Sequence, residues 1–523
     1  MKHGVSPKRA WMRVLVALVL VGLIGLPTAQ PARGVATFDV NQTADANDAN
    51  PGDAVCSPCS LRAAMQEANA LPGSDTINVP AGTYLLTLGT LFISSNITIV
   101  GTGAPEVRQT TAGDLLAVES GTTASVSNMQ LTRPAGFSLA GSGIASLGTL
   151  NLTNVTVSGH KYTSSPGGGI YNQGTMTLTN STVSNNQAIM SAGIVNHADG
   201  TLTINSSTIT GNTASQESGG IGSAGILNIT NSTISSNQVA NLNLVNDGVG
   251  AAAVTQRAGG IGIGGGTVTI TSTSIQGNSV TGGEAGGIGI AGGNVTINGG
   301  STIAGNTAST DAGGVGIQGG TVTIDQTTIS GNGARDGAGI GVRGGGVLTL
   351  TNSTLDSNVA ARDGGGLGVA EGAGSVLLTN VTVSGNTAAG QGGGIGTRSP
   401  IGLTNTTVNG NFGLSGGGIA AAIGTAAFVL NTIVANSSPG GNCFGNVTNT
   451  GGSLSSDNSC GFAGTGNPNG TNPLLGPLSS TGGSTQTHRP LSGSPAIDGG
   501  IPSGCPGNDQ RGQPRPVDGN GDL

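Results

Sequence analysis

Aromatic residues make up only 2% of this 523-residue chain, and charged residues only 8%. The single tryptophan, Trp11, lies in the first residues, in a segment expected to be removed, so a sugar-stacking aromatic platform is hard to build. Basic residues are scarce and form no cluster beyond the N-terminus. That argues against nucleic acid or anionic membrane as a partner, because both are held mainly by arrays of Lys and Arg. After Val14–Leu26 no second long apolar run occurs, so no membrane span is expected in the mature chain. No Gly-x-Ser-x-Gly elbow or His-Glu-x-x-His pattern occurs. No catalytic, cofactor-binding or metal residue is therefore assigned, and no cofactor is expected.

Glycine is abundant, at 99 residues against a usual share of about 7%. It does not recur at every third position, which excludes a collagen pattern. Instead the chain repeats itself about every 26 residues. Asn306, Asn332 and Asn358 close the phrases Ser-Thr-Ile-Ala-Gly-Asn, Thr-Thr-Ile-Ser-Gly-Asn and Ser-Thr-Leu-Asp-Ser-Asn. Self-similarity at this period marks a solenoid, in which each repeat buries its apolar face only against its neighbours. Within one repeat, Ile288 and Ile290, then Val295 and Ile297, then Ile303 alternate with small or polar residues, and Gly and Asn punctuate the runs. That is the period-two signature of short strands joined by tight turns.

The reading is an all-β fold: a single-stranded, right-handed parallel β-helix with about three short strands per rung. The hand comes from the general rule for parallel connections. Ile288, Val315, Ile340, Leu367 and Ile395 should stack in one inward column within a coil of about ten rungs over residues 140–436. Asn154, Asn180, Asn231, Asn352 and Asn380 each begin an Asn-x-Ser/Thr triplet at the same turn, so the repeat explains them better than glycosylation does.

The chain divides into 1–36, 37–100, 101–440 and 441–523. Lys2, Lys8, Arg9 and Arg13 before the apolar run, with small residues after it, read as a secretory signal. Cleavage is placed after Ala36, with Ala29 and Ala32 as alternatives. Removal takes five of the 17 basic residues (the four above and Arg33) and none of the 24 acids, leaving 12 − 24 = −12. In 37–100, Ser60–Ala70 carries helix formers with apolar spacing at Leu61, Ala64, Met65 and Ala68, Ser60 as cap and Pro72-Gly73 as stop. This short helix is expected to plug the open first rung. Residues 441–523 lose the repeat.

Cys59-Ser60-Leu61-Arg62-Ala63-Ala64, then Pro72-Gly73-Ser74-Asp75-Thr76-Ile77 and Gly82-Thr83-Tyr84, resemble the N-terminal module of CSLREA-domain proteins, with Ala63 where that motif has Glu. Asn472-Pro473-Leu474-Leu475-Gly476-Pro477-Leu478, Thr487-His488, Gly493-Ser494-Pro495-Ala496-Ile497-Asp498 and Asp509-Gln510-Arg511-Gly512 resemble the choice-of-anchor Q domain. That domain usually runs on into a Cys-Asp-Ile-Gly-Ala phrase and often an anchor; either the gene is truncated or the anchor is absent. The Gly-Gly-Gly-Ile and Ser-Gly-Asn phrases resemble polymorphic outer-membrane protein repeats. Together these resemblances imply a secreted or surface bacterial β-helix protein and no catalytic residues.

Five cysteines remain to be read. Cys443 and Cys460 lie in the loop-rich tail of an exported chain, where a disulfide between them is expected. Cys56 and Cys59 read as a structural bridge or as a redox pair, and the thioredoxin setting for the second is missing. Cys505 is left over; in the resembled domain its mate would lie in the phrase this chain lacks. His160 takes a turn position that Asn fills in other rungs, which favours a turn role over catalysis.

One column carries charge: Glu217, Arg257, Glu284, Asp311, Asp336, Asp363 and Gln391 each stand four residues before the first inward residue of a rung. Stacked carboxylates need a counter-charge or a cation, and calcium would suit an oxygen-rich line. The alternative is a solvated loop edge relieved by Arg335 and Arg362. Asn237 to Asn278 is about 15 residues longer than a rung, and the surplus Gln238–Arg257 is a candidate contact loop.

The function expected is that of a secreted or cell-surface scaffold in an adhesive or extracellular structural role, non-enzymatic and monomeric, with surface glycans or other cells as partners. The alternative is a carbohydrate-active lyase or hydrolase on a pectate-lyase-like β-helix. Scattered acids such as Asp325 and Asp356 show no paired-carboxylate cluster for that chemistry.

Overall fold

Each rung takes four turns of direction, and its strands are short because Gly, Asn or Ser interrupts every apolar run within five residues. The computed structural model describes residues 34–134, 141–162, 167–240, 257–462, 468–502 and 504–517. The rung that starts at Ile288 is representative. Ile288–Ile290 lies in a first wall, Asn294–Asn298 in a second, Thr302–Ala304 in a third and Thr307–Ala308 in a fourth. Stacked along the coil, these walls are parallel sheets of 14, 16, 15 and 11 strands respectively. The parallel β-helix expected from the repeat is therefore present. Three walls match the three strands read from alternation, and the fourth adds a strand of two residues, too short to alternate.

Register is strict. Ile288 pairs with Val315, Val315 with Ile340, Ile340 with Leu367 and Leu367 with Ile395. All five side chains are fully buried, and burying an aliphatic side chain of this size contributes about 1.5–3 kcal/mol. The sheets run past both expected ends of the coil. Ser74–Val79 and Asn96–Gly101 already belong to the second wall, and Val447–Gly451 and Leu454–Ser455 still extend the second and third. Helix α1, Leu61–Ala70, lies over the N-terminal end, with the Ser60 side chain accepting from Ala63 N–H at 3.0 Å. Within it, buried Arg62 pairs with Asp45 at 2.7 Å and donates to the Thr90 and Gly89 carbonyls.

Two asparagine columns make the turns. Between the second and third walls, Asn154, Asn180, Asn231, Asn352 and Asn380 adopt φ of 46–55°, the left-handed region that asparagine tolerates. This is the structural reason for the recurring Asn-x-Ser/Thr phrase. Between the third and fourth walls, Asn186 to Asn411 form a buried ladder. Asn306 Nδ2 donates to Asn332 Oδ1 at 3.0 Å and to the Ile275 carbonyl at 2.9 Å, and Asn306 Oδ1 accepts from Asn278 N–H and Nδ2. His160 occupies the ladder's first position, fully buried, with Nε2 3.1 Å from the Leu131 carbonyl. Burial pushes its imidazole down to about 4, and Nδ1 finds no partner. The turn role expected of His160 matches this placement.

Cys443 and Cys460 form a disulfide, as do Cys56 and Cys59, and Cys505 is free. Cys460 and Phe462 join the core and close its C-terminal end. Cys443 and Val447 belong to the same core, and Pro468 and Thr471 hydrogen-bond the last third-wall strand at Ser455; beyond these the tail runs back along the flank. A hairpin of Leu475–Ser479 with Thr487–Pro490 leads into a strap that grips the turn column, where Thr485 Oγ1 donates to the Asn352 carbonyl, Asn380 Nδ2 to the Asn508 carbonyl and Asn431 Nδ2 to the Ile501 carbonyl. His488 Nε2 lies 2.9 Å from Ser384 Oγ and 3.2 Å from Asn409 Nδ2. The signal segment 1–33 and most of the Gln238–Arg257 insertion, residues 241–256, lie outside the described residues. Among those described, no helix is long and apolar enough to cross a membrane.

Candidate functional site

The outward residue of the first wall is glycine on successive rungs: Gly262, Gly289, Gly316, Gly341, Gly368 and Gly396. Close packing requires this. A Cβ on Gly368 would stand 2.7 Å from Gly337 Cα. A Cβ on Gly316 would meet the Ala285 and Ala312 Cβ atoms at 3.2 and 3.3 Å, and Gly262, Gly289 and Gly316 are buried. Gly341, Gly368 and Gly396 are only half-buried, so the wall opens into a groove toward the C-terminal rungs. The groove encloses a cavity of about 270 Å³.

The charge column forms one rim. Glu284, Asp311, Asp336 and Asp363 line the groove together with Arg335, Arg362 and Gln391. Glu217 and Arg257, on earlier rungs, do not. Arg257 instead donates to the Gly282 carbonyl, and burial pushes the Glu217 carboxyl up to about 8. The opposite rim is the residue just after each first-wall strand: Gln318, Arg343, Ala370 and Arg398. The sequence reading did not identify Arg343 and Arg398 as part of the site. The signal that would have found them is their shared register one residue past Val342 and Thr397.

Charges alternate along the groove. Arg343 Nη2 meets Glu284 Oε1 at 2.7 Å and its Nη1 bonds Asp311. Arg335 meets Asp311 at 3.6 Å and Asp336 at 3.0 Å. Arg362 binds both oxygens of Asp336 at 2.7 Å, and Arg398 Nη2 meets Asp363 at 3.0 Å. The remaining oxygens are also occupied, Glu284 Oε2 by Gln318 and Asp363 Oδ1 by the Gln391 N–H. Every oxygen of Glu284, Asp336 and Asp363 therefore has a donor, as has Asp311 Oδ2, while Asp311 Oδ1 faces Arg335 at 3.6 Å, an ion-pair contact beyond hydrogen-bond distance. The paired Asp336 carboxylate holds the Arg362 guanidinium above its ordinary range. The acids sit deeper than the bases: the side chains of Asp311, Asp336 and Asp363 are 27, 19 and 23% exposed, and those of Arg335, Arg362 and Arg398 are 50, 52 and 53% exposed.

The repulsion of stacked carboxylates is relieved by arginine. Among the described residues no group of three His, Cys, Asp or Glu gathers as a metal-ligand set. Asp325 and Asp356 stay out of the groove. Asp325 accepts from Thr351 and Asn352, and burial pushes Asp356 upward.

No protein-family profile matches the chain, and no curated protein matches it. Among solved structures, the A-module of a mannuronan C-5 epimerase from Azotobacter vinelandii is 14% identical, with a TM-score of 0.33 over 80% of this chain and 99% of that one. The Dettilon tailspike protein is 10% identical, with a TM-score of 0.32 over 75% of this chain and 65% of that one. A pectate lyase is 14% identical, with a TM-score of 0.29 over 93% of this chain and 98% of that one.

Proposed function

We propose that this chain is an exported, non-enzymatic β-helix scaffold that binds a glycan along the charged groove of its first wall. The observation that carries this reading is the alternating ladder of guanidinium and carboxylate over a half-open glycine floor. A glycan presents oxygen acceptors along an extended chain, and arginine offers five N–H donors. Arg362 commits Nε and Nη2 to Asp336, and Arg398 commits one Nη2 to Asp363, so each keeps donors in a half-exposed head. Ion pairing to the partly buried acids holds those heads in place before a ligand arrives, which lowers the ordering cost of binding.

The same pairing supports a role without catalysis. Hydrolysis requires a carboxyl pair presented to the substrate, and elimination requires a free base; each of the four carboxylates in this groove is already ion-paired with arginine. Export is supported by the N-terminal pattern and by two disulfides, which persist in oxidising compartments. Kinship with CSLREA-domain and choice-of-anchor Q proteins belongs to this proposal.

The test is retention of the full chain on immobilised neutral and acidic polysaccharides, with the soluble fraction followed for shortened or unsaturated chains. The expected result is retention without products, weakened several-fold by Arg362→Gln with Arg398→Gln while the melting temperature holds. Failure of every polysaccharide to retain the protein would remove the glycan reading, and formation of products would remove the non-enzymatic one.

A further inference from the structure

The outer face of the second wall has a separate character. Its strands alternate strictly, with two inward apolar residues between three outward ones. The strands Thr175–Thr179, Thr267–Thr271 and Thr321–Asp325 read TMTLT, TVTIT and TVTID. Across the eight strands from Thr149 to Thr351, 16 of the 24 outward residues are threonine and five are asparagine; Asp325 is the one charge and none is aromatic. An ordinary protein surface is about 25–35% charged.

Strand pairing holds this face in register from rung to rung. The outward side chains therefore repeat at about 4.8 Å across strands and at about 6.6 Å along them. Each threonine is β-branched and restricted at χ1; in the central column Thr177 stacks on Thr203, and Thr269, Thr296, Thr323 and Thr349 stack in succession, with Asn228 between the two runs. Thr271 and Thr351 use their hydroxyls on Asn298 and Asp325. Those of the central column, among them Thr177, Thr203, Thr269 and Thr323, make no side-chain hydrogen bond among the described residues. The result is a two-dimensional array of fixed, uncharged hydroxyls, each beside a methyl group.

Strand propensity and solvent exposure explain threonine on an outer β face in general. They do not explain the second dimension of the array. On the third wall over the same rungs only the first outward column is threonine-rich; the second carries Ser158, Ser184, Thr210, Ser235, Gln276, Ala304, Ser330 and Asp356, with one threonine among them. An uncharged, rigid, periodic array complements a partner that is itself an uncharged, periodic hydrogen-bonding lattice. A crystalline polysaccharide would call for aromatic stacking, which these eight strands lack; the aromatic outward on this wall, Phe428, lies three strands beyond them. Ordered water does not: hydroxyls enter its hydrogen bonds and the methyl groups between them favour caged water.

We infer that the second wall is an ice-binding face. This inference is independent of the groove on the first wall. The test is partition of the full chain into a slowly grown ice fraction, together with inhibition of ice recrystallisation. The wild type should be enriched in ice several-fold over an unrelated globular control. Thr203→Lys with Thr269→Lys should abolish the enrichment, and Thr208→Lys with Thr302→Lys, on the third wall, should leave it intact, with equal melting temperatures confirming all folds. Wild-type partition no greater than the control overturns the proposal. So does full activity in the second-wall variant, or retention on microcrystalline cellulose or chitin without any enrichment in ice.

Discussion

Replacing Asn306 by alanine should destabilise the coil far more than the loss of one polar side chain would suggest, because the ladder makes its neighbours depend on it. Asn306 is fully buried. Its Oδ1 is the acceptor for the backbone N–H of Asn278 at 3.0 Å and for Asn278 Nδ2 at 2.9 Å. After truncation the Asn278 N–H has no acceptor. Its Nδ2 keeps only the Ile234 carbonyl. Two buried donors orphaned at about 1–3 kcal/mol each put the loss at about 2–6 kcal/mol. A water drawn into the vacated space would recover part of this and move the loss toward the lower end. In a solenoid each repeat is held by its neighbours, so the weakening should centre on the rungs of Asn278, Asn306 and Asn332. Amide exchange at Asn278 should accelerate in step with a lower urea midpoint. An unchanged midpoint together with unchanged exchange at Asn278 would refute the ladder as a source of stability.

Asn306→Asp separates hydrogen bonding from shape. One carboxyl oxygen keeps the two Asn278 donors. The other faces Asn332 Oδ1 and the Ile275 carbonyl, both acceptors. The folded protein therefore accommodates the protonated acid, which raises its folded pKa above the unfolded value of about 3.9. A raised acid binds more protons folded than unfolded, so its stability is present at low pH and is lost as pH rises. The loss should run at about 1.4 kcal/mol per pH unit above about 4 until the folded pKa is reached. A pH-independent difference between Asn306→Asp and the wild type, measured from pH 4 to 7, would contradict this geometry.

Two further outcomes follow from the ends of the ladder. Serine at both Cys443 and Cys460 opens a loop whose ends are 17 residues apart, and should cost about 3 kcal/mol by chain entropy; reductant should lower the melting temperature of the wild type more than that of the variant, in which the Cys56–Cys59 bridge is the disulfide left to reduce. His160, held down to about 4 against an ordinary 6.5, binds its proton in the unfolded chain first. Stability is therefore complete above pH 6.5 and falls by about 3 kcal/mol as pH drops to 4; His160→Asn, which restores the ladder residue, should flatten that slope in urea titrations at pH 7 and 4.5.

The inward columns were legible in the sequence because a buried strand position tolerates little but Ile, Val or Leu, and Ile288, Val315 and Ile340 recur at a fixed offset from their rung's turn. The ladder was legible as a phrase-ending asparagine, and the helix from its cap and apolar spacing. The fourth wall was not, since two residues such as Thr307 and Ala308 cannot alternate. Nor was the full length of the coil: strands as early as Ser74–Val79 pair in the same sheet, but the repeats there have drifted in length and in turn residues. The tail's path along the flank was hidden for another reason. Its contacts join residues more than 100 apart, such as Thr485 with Asn352 and Gln510 with Ser353, and leave no period behind.

The groove shows where sequence periodicity stops being informative. A column of acids is visible from register alone, because every member sits at one offset. Arg335 and Arg362 are visible the same way, each one residue before its column acid. The partners on the opposite rim are harder to see: Arg343 reaches Asp311, 32 residues back, and Arg398 reaches Asp363, 35 residues back. Those separations exceed one repeat because the partners stand on opposite rims of the first wall, one in the turn that leads into it and one in the turn that leaves it. Arg343 and Arg398 share a register, but Gln318 and Ala370 hold it on neighbouring rungs, so no column of charge shows in the sequence. These two arginines meet the acids only because the coil superimposes those turns and the half-open glycine floor leaves the space between the rims clear. A repeat protein therefore shows its skeleton through what recurs, while this site is made by the few residues that do not recur, placed on a frame that does.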